Sequence, residues 1–179
     1  MNDFKLNLNW IRQVILVLFA CAVIFFHLIP FTLAPTMRPA PDIVFCVICA
    51  LLIRRPEIVP FWVIALIYFG FDLFLMKPLG VWTACMLGAT EIWRANMYFF
   101  RENRFPVEWF SVSVLFLLTL IANHIILAVS IVATPAFTTL LWEYIFTTLA
   151  YPIVLFIITY ILRIGKPALG EFGLKGQRL

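Results

Sequence analysis

Apolar residues run along this chain in long unbroken stretches, with neither the period-two alternation of half-buried strands nor a single amphipathic stripe. Residues 13–37 and 109–132 contain no Lys, Arg, Asp or Glu. Each stretch exceeds the ~20 helical residues needed to cross a hydrocarbon core of roughly 30 Å. Backbone polar groups find no water there and must be satisfied within the segment, so continuous apolar runs predict helices; a barrel would need short alternating strands. The pattern predicts an all-α integral membrane protein, one polytopic domain over residues 1–179, with helices near 13–31, 43–53, 60–76, 81–100, 109–132 and 144–162.

The segment at 43–53 is the weakest of the six, because at 1.5 Å per residue it reaches only about 16 Å. It either crosses or forms a re-entrant element, giving six crossings or five. Loop charges separate the two. Six crossings with the N-terminus inside place Lys5, Arg12, Arg54, Arg55, Arg94, Arg101, Arg104, Arg163, Lys166, Lys175 and Arg178 on the cytoplasmic side, leaving Arg38 and Lys77 outside. Five crossings must translocate a tail carrying Lys5 and Arg12, so six is the preferred expectation. Both versions put Arg54, Arg55, the 94–104 cluster and the C-terminal tail in the cytoplasm. Lys5 and Arg12 before an apolar run also raise a signal peptide, but the run is long and no small-residue cleavage site precedes Pro30, which favours a first membrane helix.

Composition removes the water-soluble alternative: 64% of residues are hydrophobic and 12% charged, against roughly 25% charged in ordinary soluble domains. The net charge of +4 sits in short clusters between apolar runs, the distribution of topology determinants and not of a nucleic-acid surface. Cys21, Cys46, Cys49 and Cys85 all lie in apolar segments, so no secreted-type disulfide framework is indicated. The Cys46/Cys49 pair reads as helix packing. Each of the six tryptophans, Trp10, Trp62, Trp82, Trp93, Trp109 and Trp142, lies near a segment end and fits an interfacial belt. Tyr151-Pro152 predicts a kink in the last helix.

Ionisable residues at membrane depth are costly and are therefore the functional candidates. Asp72 reads first as an ion pair with Lys77 or an interfacial carboxylate, and second as a site that organises the bundle or meets a partner. Glu91 and Arg94, three apart, can pair on one helix face. Asn123 and His124, with Thr119 and Ser130, form a polar stripe suited to interhelical hydrogen bonds. His27 stands among Phe25, Phe26 and Leu28 as an interfacial histidine. The usual metal, nucleophile and phosphate-binding motifs are absent from the sequence, no cofactor is implied, and the chain reads as a non-enzyme.

One ordered set of motifs goes beyond generic membrane character. Pro41-Asp42 is followed by an apolar run, then by Arg54-Arg55-Pro56-Glu57, Gly70-Phe71-Asp72 and Pro78-Leu79-Gly80. This order, over roughly residues 40–105, resembles the rod shape-determining protein MreD family; the remainder matches in length and hydropathy. The glycine-to-aspartate spacing is one residue shorter than the family pattern. The resemblance implies a non-enzymatic inner-membrane scaffold of the bacterial cell-elongation complex. Its partners would be MreC and, through it, MreB, the RodA-type glycosyltransferase and its transpeptidase, together with the lipid bilayer and with no nucleic acid. Arg54, Arg55, Arg101 and Arg104 are then candidates for binding anionic lipid or an acidic cytoplasmic partner. Such chains are also similar in fold to the substrate-binding subunits of energy-coupling-factor vitamin transporters. That supplies an alternative function, small-molecule binding, which would require an outward pocket with convergent polar groups; Arg38, Asp42, Asp72, Lys77 and Glu143 are the outer-side residues available to it.

Overall fold

The computed structural model describes residues 2–29, 40–97, 99, 104–131 and 134–161, with side chains described between 9 and 160. Arg38, Arg101 and the C-terminal tail lie outside these residues. The described chain is helical, without strands: α1 (Asn2–Leu28), α2 (Ile43–Arg54), a 3₁₀ turn (Pro56–Ile58), α3 (Phe61–Phe74), α4 (Val81–Ala95), α5 (Phe105–Val129) and α6 (Phe137–Phe156), which widens into a π turn (Ile157–Ile161).

Three spans, Asn9–Leu28, Phe105–Val129 and Phe137–Tyr160, are long and apolar enough to cross a membrane. The helices α2, α3 and α4 have 12, 14 and 15 residues, or about 18, 21 and 22 Å of axis. Contacts between their ends alternate the direction of the six helices. The C-terminus of α2, the start of α3 and the C-terminus of α4 share one end with the first turn of α5, and the N-terminus of α2 meets the first half of α6 at the other.

The helix α2 forms the centre. Every residue from Val44 to Arg54 except Val47 is buried, and it packs beside α1, α4 and α6. A helix that is apolar all round has no lipid-facing side to distinguish, and burial among neighbours is how such a segment satisfies its surface. Outside it, α1 and α3 present Trp10, Ile15, Leu18, Phe25, Trp62, Leu66 and Phe69 outward. Large exposed apolar residues at this density are incompatible with water and suit lipid.

Three helix starts differ from the sequence expectation, and two of the shifts matter. The first helix begins at Asn2 and not near 13, α5 at Phe105 and not 109, and α6 at Phe137 and not 144. Pro106 in the first turn of α5 fits there because that amide has no intrahelical partner. The earlier starts bring Glu108 and Glu143 out of expected loops and into helices. The interfacial-belt expectation fails for Trp82 and Trp93, which are buried; the Trp93 indole N–H donates to the Cys49 carbonyl at 3.0 Å. Trp10 and Trp62 are exposed, with ring centroids 5.7 Å apart. Pro152 is accommodated inside α6. Cys46 and Cys49 are buried free thiols.

Candidate functional site

The expected polar residues separate to two ends of the bundle. At the first end Arg54, read from the sequence as a cytoplasmic lipid-binding cation, is instead buried at 4% exposure and paired with Glu108 at 3.2 Å. Its guanidinium also donates to the Ala50 carbonyl. The Tyr151 hydroxyl donates to Glu108 Oε1 at 2.7 Å, so one carboxylate joins α2, α5 and α6. The correction has a physical reason: Arg54 is the last residue of α2, and the central position of that helix leaves its end no route to solvent. Arg55, one residue on, is exposed, as is Arg104.

The Arg55-Pro56-Glu57 segment makes a short 3₁₀ turn that rests on α1. Gln13 donates to the Glu57 carbonyl at 3.2 Å and Asn9 to its carboxylate at 3.4 Å. Glu91 and Arg94 form the expected pair at 3.0 Å, and Arg94 donates to the Val59 carbonyl at 2.7 Å, which ties α4 to the start of α3.

At the second end Asp72 is fully buried and forms no ion pair with Lys77; that expectation is corrected. Its Oδ2 accepts from the Gly80 amide at 2.9 Å, the Thr83 amide at 3.2 Å and the Thr83 hydroxyl at 2.7 Å. Asp72 therefore caps α4 from the neighbouring helix, where Gly80, the residue before the helix, has no side chain to do so. Gly80 sits at φ 84°, a left-handed conformation that glycine adopts without steric cost. The Lys77 amide donates to the Asp72 carbonyl at 3.1 Å. The Gly-Phe-Asp and Pro-Leu-Gly motifs are thus one built unit, the α3–α4 hairpin. Gly70 is not required by crowding, since an added Cβ would meet Ile24 at an ordinary 3.6 Å.

Asp42 caps α2, accepting from the Phe45 amide at 2.9 Å, while its own amide donates to Thr147 on α6 at 3.0 Å. Burial pushes its carboxyl above the usual carboxylate range, against the pull of the Phe45 amide, Lys77 and His27. Above this cap lies a partly open cavity of about 510 Å³. Its polar lining comprises His27, Asp42, Lys77, Asn123, Thr134, Thr139 and Glu143, and its apolar walls include Phe71, Trp82 and Leu127. The Lys77 ammonium sits 4.6 Å from the centre of the Trp82 ring.

The polar stripe on α5 does not serve as expected. Thr119 bonds back to the Leu115 carbonyl of its own helix, Ser130 is exposed, and Asn123 turns to the cavity. His124 is half-buried with Nδ1 unpartnered. The interhelical bonds come from the adjacent face: Ser113 with Tyr144 at 2.6 Å and Thr148 at 3.3 Å, and Trp109 to the Thr148 carbonyl at 2.9 Å. Sequence reasoning missed Glu108 and Ser113, and named Glu143 only as an outer-side residue. The Arg104-Phe105-Pro106 start and the Trp109/Ser113 spacing were available signals for Glu108 and Ser113.

No group of three or more metal-ligating side chains occurs among the described residues. No family model matches the sequence, and neither a curated protein nor a solved structure matches the chain.

Proposed function

We propose that the chain is a non-enzymatic scaffold of the bacterial cell-elongation complex, multi-pass in the inner membrane with its C-terminus cytoplasmic, acting through association with MreC. The observation that carries the reading is the use of the motif residues as a set. Asp72 joins the Gly70-Phe71-Asp72 helix to the Pro78-Leu79-Gly80 turn, Asp42 caps the central helix, and Arg54 locks the other end. Two of the four motifs, which a resemblance joins only by order in the sequence, are thereby joined by contact. Arg12, Arg54, Arg55, Arg94 and Arg104 gather at one end and Lys77 stands at the other, a distribution that supports placing the arginine end in the cytoplasm. The broad exposed apolar surface of α1 and α3 offers room for a partner's single helix within the bilayer.

Tagging the C-terminus, crosslinking in intact cells, purifying in mild detergent and identifying co-purifying proteins tests the proposal. Recovery of MreC with wall-elongation enzymes is the expected result. Recovery of paired ATPase subunits with a coupling membrane protein, and no MreC, would overturn it in favour of a second reading, a substrate-binding subunit of a small-molecule transporter. The observation favouring that reading is the cavity, which meets the requirement of convergent polar groups.

A further inference from the structure

The polar groups at the two ends of the bundle differ in whether they are used. At the cavity, Glu143 makes neither a hydrogen bond nor an ion pair with any described residue, although it lies on α6 within a membrane-spanning segment. A carboxylate at such a depth is costly unless a partner offsets it. Lys77 and Asp42 are within electrostatic reach of Glu143, but the ammonium is held over Trp82 and closes no ion pair. His27 must donate from Nδ1 to the Val23 carbonyl, 2.9 Å away, since a carbonyl only accepts; Nε2 of the neutral ring is then an acceptor.

The geometry points to the cavity as a binding site for a small organic molecule that carries a protonated amine on an apolar body. Three features select this chemistry. Glu143 presents a carboxylate that no described cation pairs, and the Lys77 ammonium of the described lining sits instead over the Trp82 ring. Side-chain acceptors on Glu143, His27 and Asn123 have no described donor and can take the three N–H groups of an ammonium. The first turn of α2, which elsewhere could attract an anion, is already satisfied: the Ile43 amide donates to the Pro41 carbonyl, and the Phe45 and Cys46 amides to Asp42. A metal ion is the poorer occupant, because no set of three metal-ligating groups converges among the described residues. The cavity volume of about 510 Å³ falls in the range typical of small-molecule sites, roughly 300–1,000 Å³.

The assignment rests on the cavity alone and stands beside the scaffold reading, since the test uses isolated protein and no partner. Purified full-length protein in mild detergent is titrated with tryptamine and phenethylamine, followed by thermal unfolding and calorimetry. N-acetyltryptamine, neutral, and indole-3-propionate, anionic, serve as matched controls. Saturable binding of the amines is expected, with the controls weaker by about tenfold or more, the scale of one charge-assisted contact. Glu143→Gln should weaken amine binding by about tenfold without moving the ligand-free Tm. Thr139→Trp, placed on the cavity wall, should block it while leaving Glu143 in place. Absence of binding by both amines, equal binding of the controls, or full affinity in Glu143→Gln each overturns the inference. None of these results bears on recovery of MreC from cells.

Discussion

The arginine end and the cavity end of this bundle hold similar chemistry and treat it in opposite ways. At the arginine end Arg54, Glu108 and Tyr151 form a closed set within 3.2 Å, and Arg94 spans two helices. At the cavity end Asp72 is consumed by the α4 cap, yet Lys77 and Glu143 face space without closing a pair. Buried charge is tolerated when each group is hydrogen-bonded and compensated. At the first end each buried charged group finds a partner among the chain's own residues, with only Arg54 Nε and Gln13 Oε1 left over among the described atoms whose partners are settled, so its polar groups are structural. The second end meets that condition in part, which leaves groups available to something other than the chain.

The largest effect should come from breaking the closed end. Glu108→Ala strands the Arg54 guanidinium in the core and should cost about 3–5 kcal/mol, read as a large fall in Tm in mild detergent. The double variant Arg54→Met with Glu108→Leu should recover most of that loss, because removing both charges also removes their desolvation penalty. A Glu108→Ala protein as stable as the parent would abolish the contrast between the ends.

Asp72→Ala comes next. It leaves the Gly80 and Thr83 amides without their acceptor and should cost about 1–3 kcal/mol, with faster hydrogen exchange at the start of α4 as the local signature. Gly80→Ala meets open space, so its cost is conformational and should be about 1 kcal/mol. Equal stability of Gly80→Ala and the parent would contradict the left-handed turn. The smallest effect sharpens the comparison most: Glu143→Gln should change stability by no more than about 0.5 kcal/mol, because no contact is lost. A fall like that of Glu108→Ala would place Glu143 among the structural groups.

Much of this arrangement was legible before any coordinates. Long apolar runs gave the helical class, and the i,i+3 spacing gave the Glu91–Arg94 pair. Helix starts were harder, because a hydropathy boundary marks where polar residues begin and not where the backbone stops being helical. Phe105-Pro106-Val107 and Phe137-Thr138-Thr139 belong to helices whose first turns carry polar residues. Glu108 and Glu143 were consequently read as loop carboxylates. Arg54 shows a different limit: a charge at the end of an apolar run looks interfacial, and only the central placement of α2 turns it inward. Asp72 stands out in the sequence as an ionisable residue in an apolar run, but its partners are the Gly80 and Thr83 amides and the Thr83 hydroxyl, eight and eleven residues later, which no charge pattern reveals.

The position of α2 carries a consequence for how the protein meets membranes of different thickness. A helix walled off from lipid along nearly its whole length answers to its neighbours and not to the hydrocarbon slab. Its two ends are pinned to other helices, through Asp42 and Thr147 at one and Arg54 and Glu108 at the other. The outer helices can tilt as the bilayer thins or thickens while this inner strut keeps its span, and the chamber above it keeps its depth.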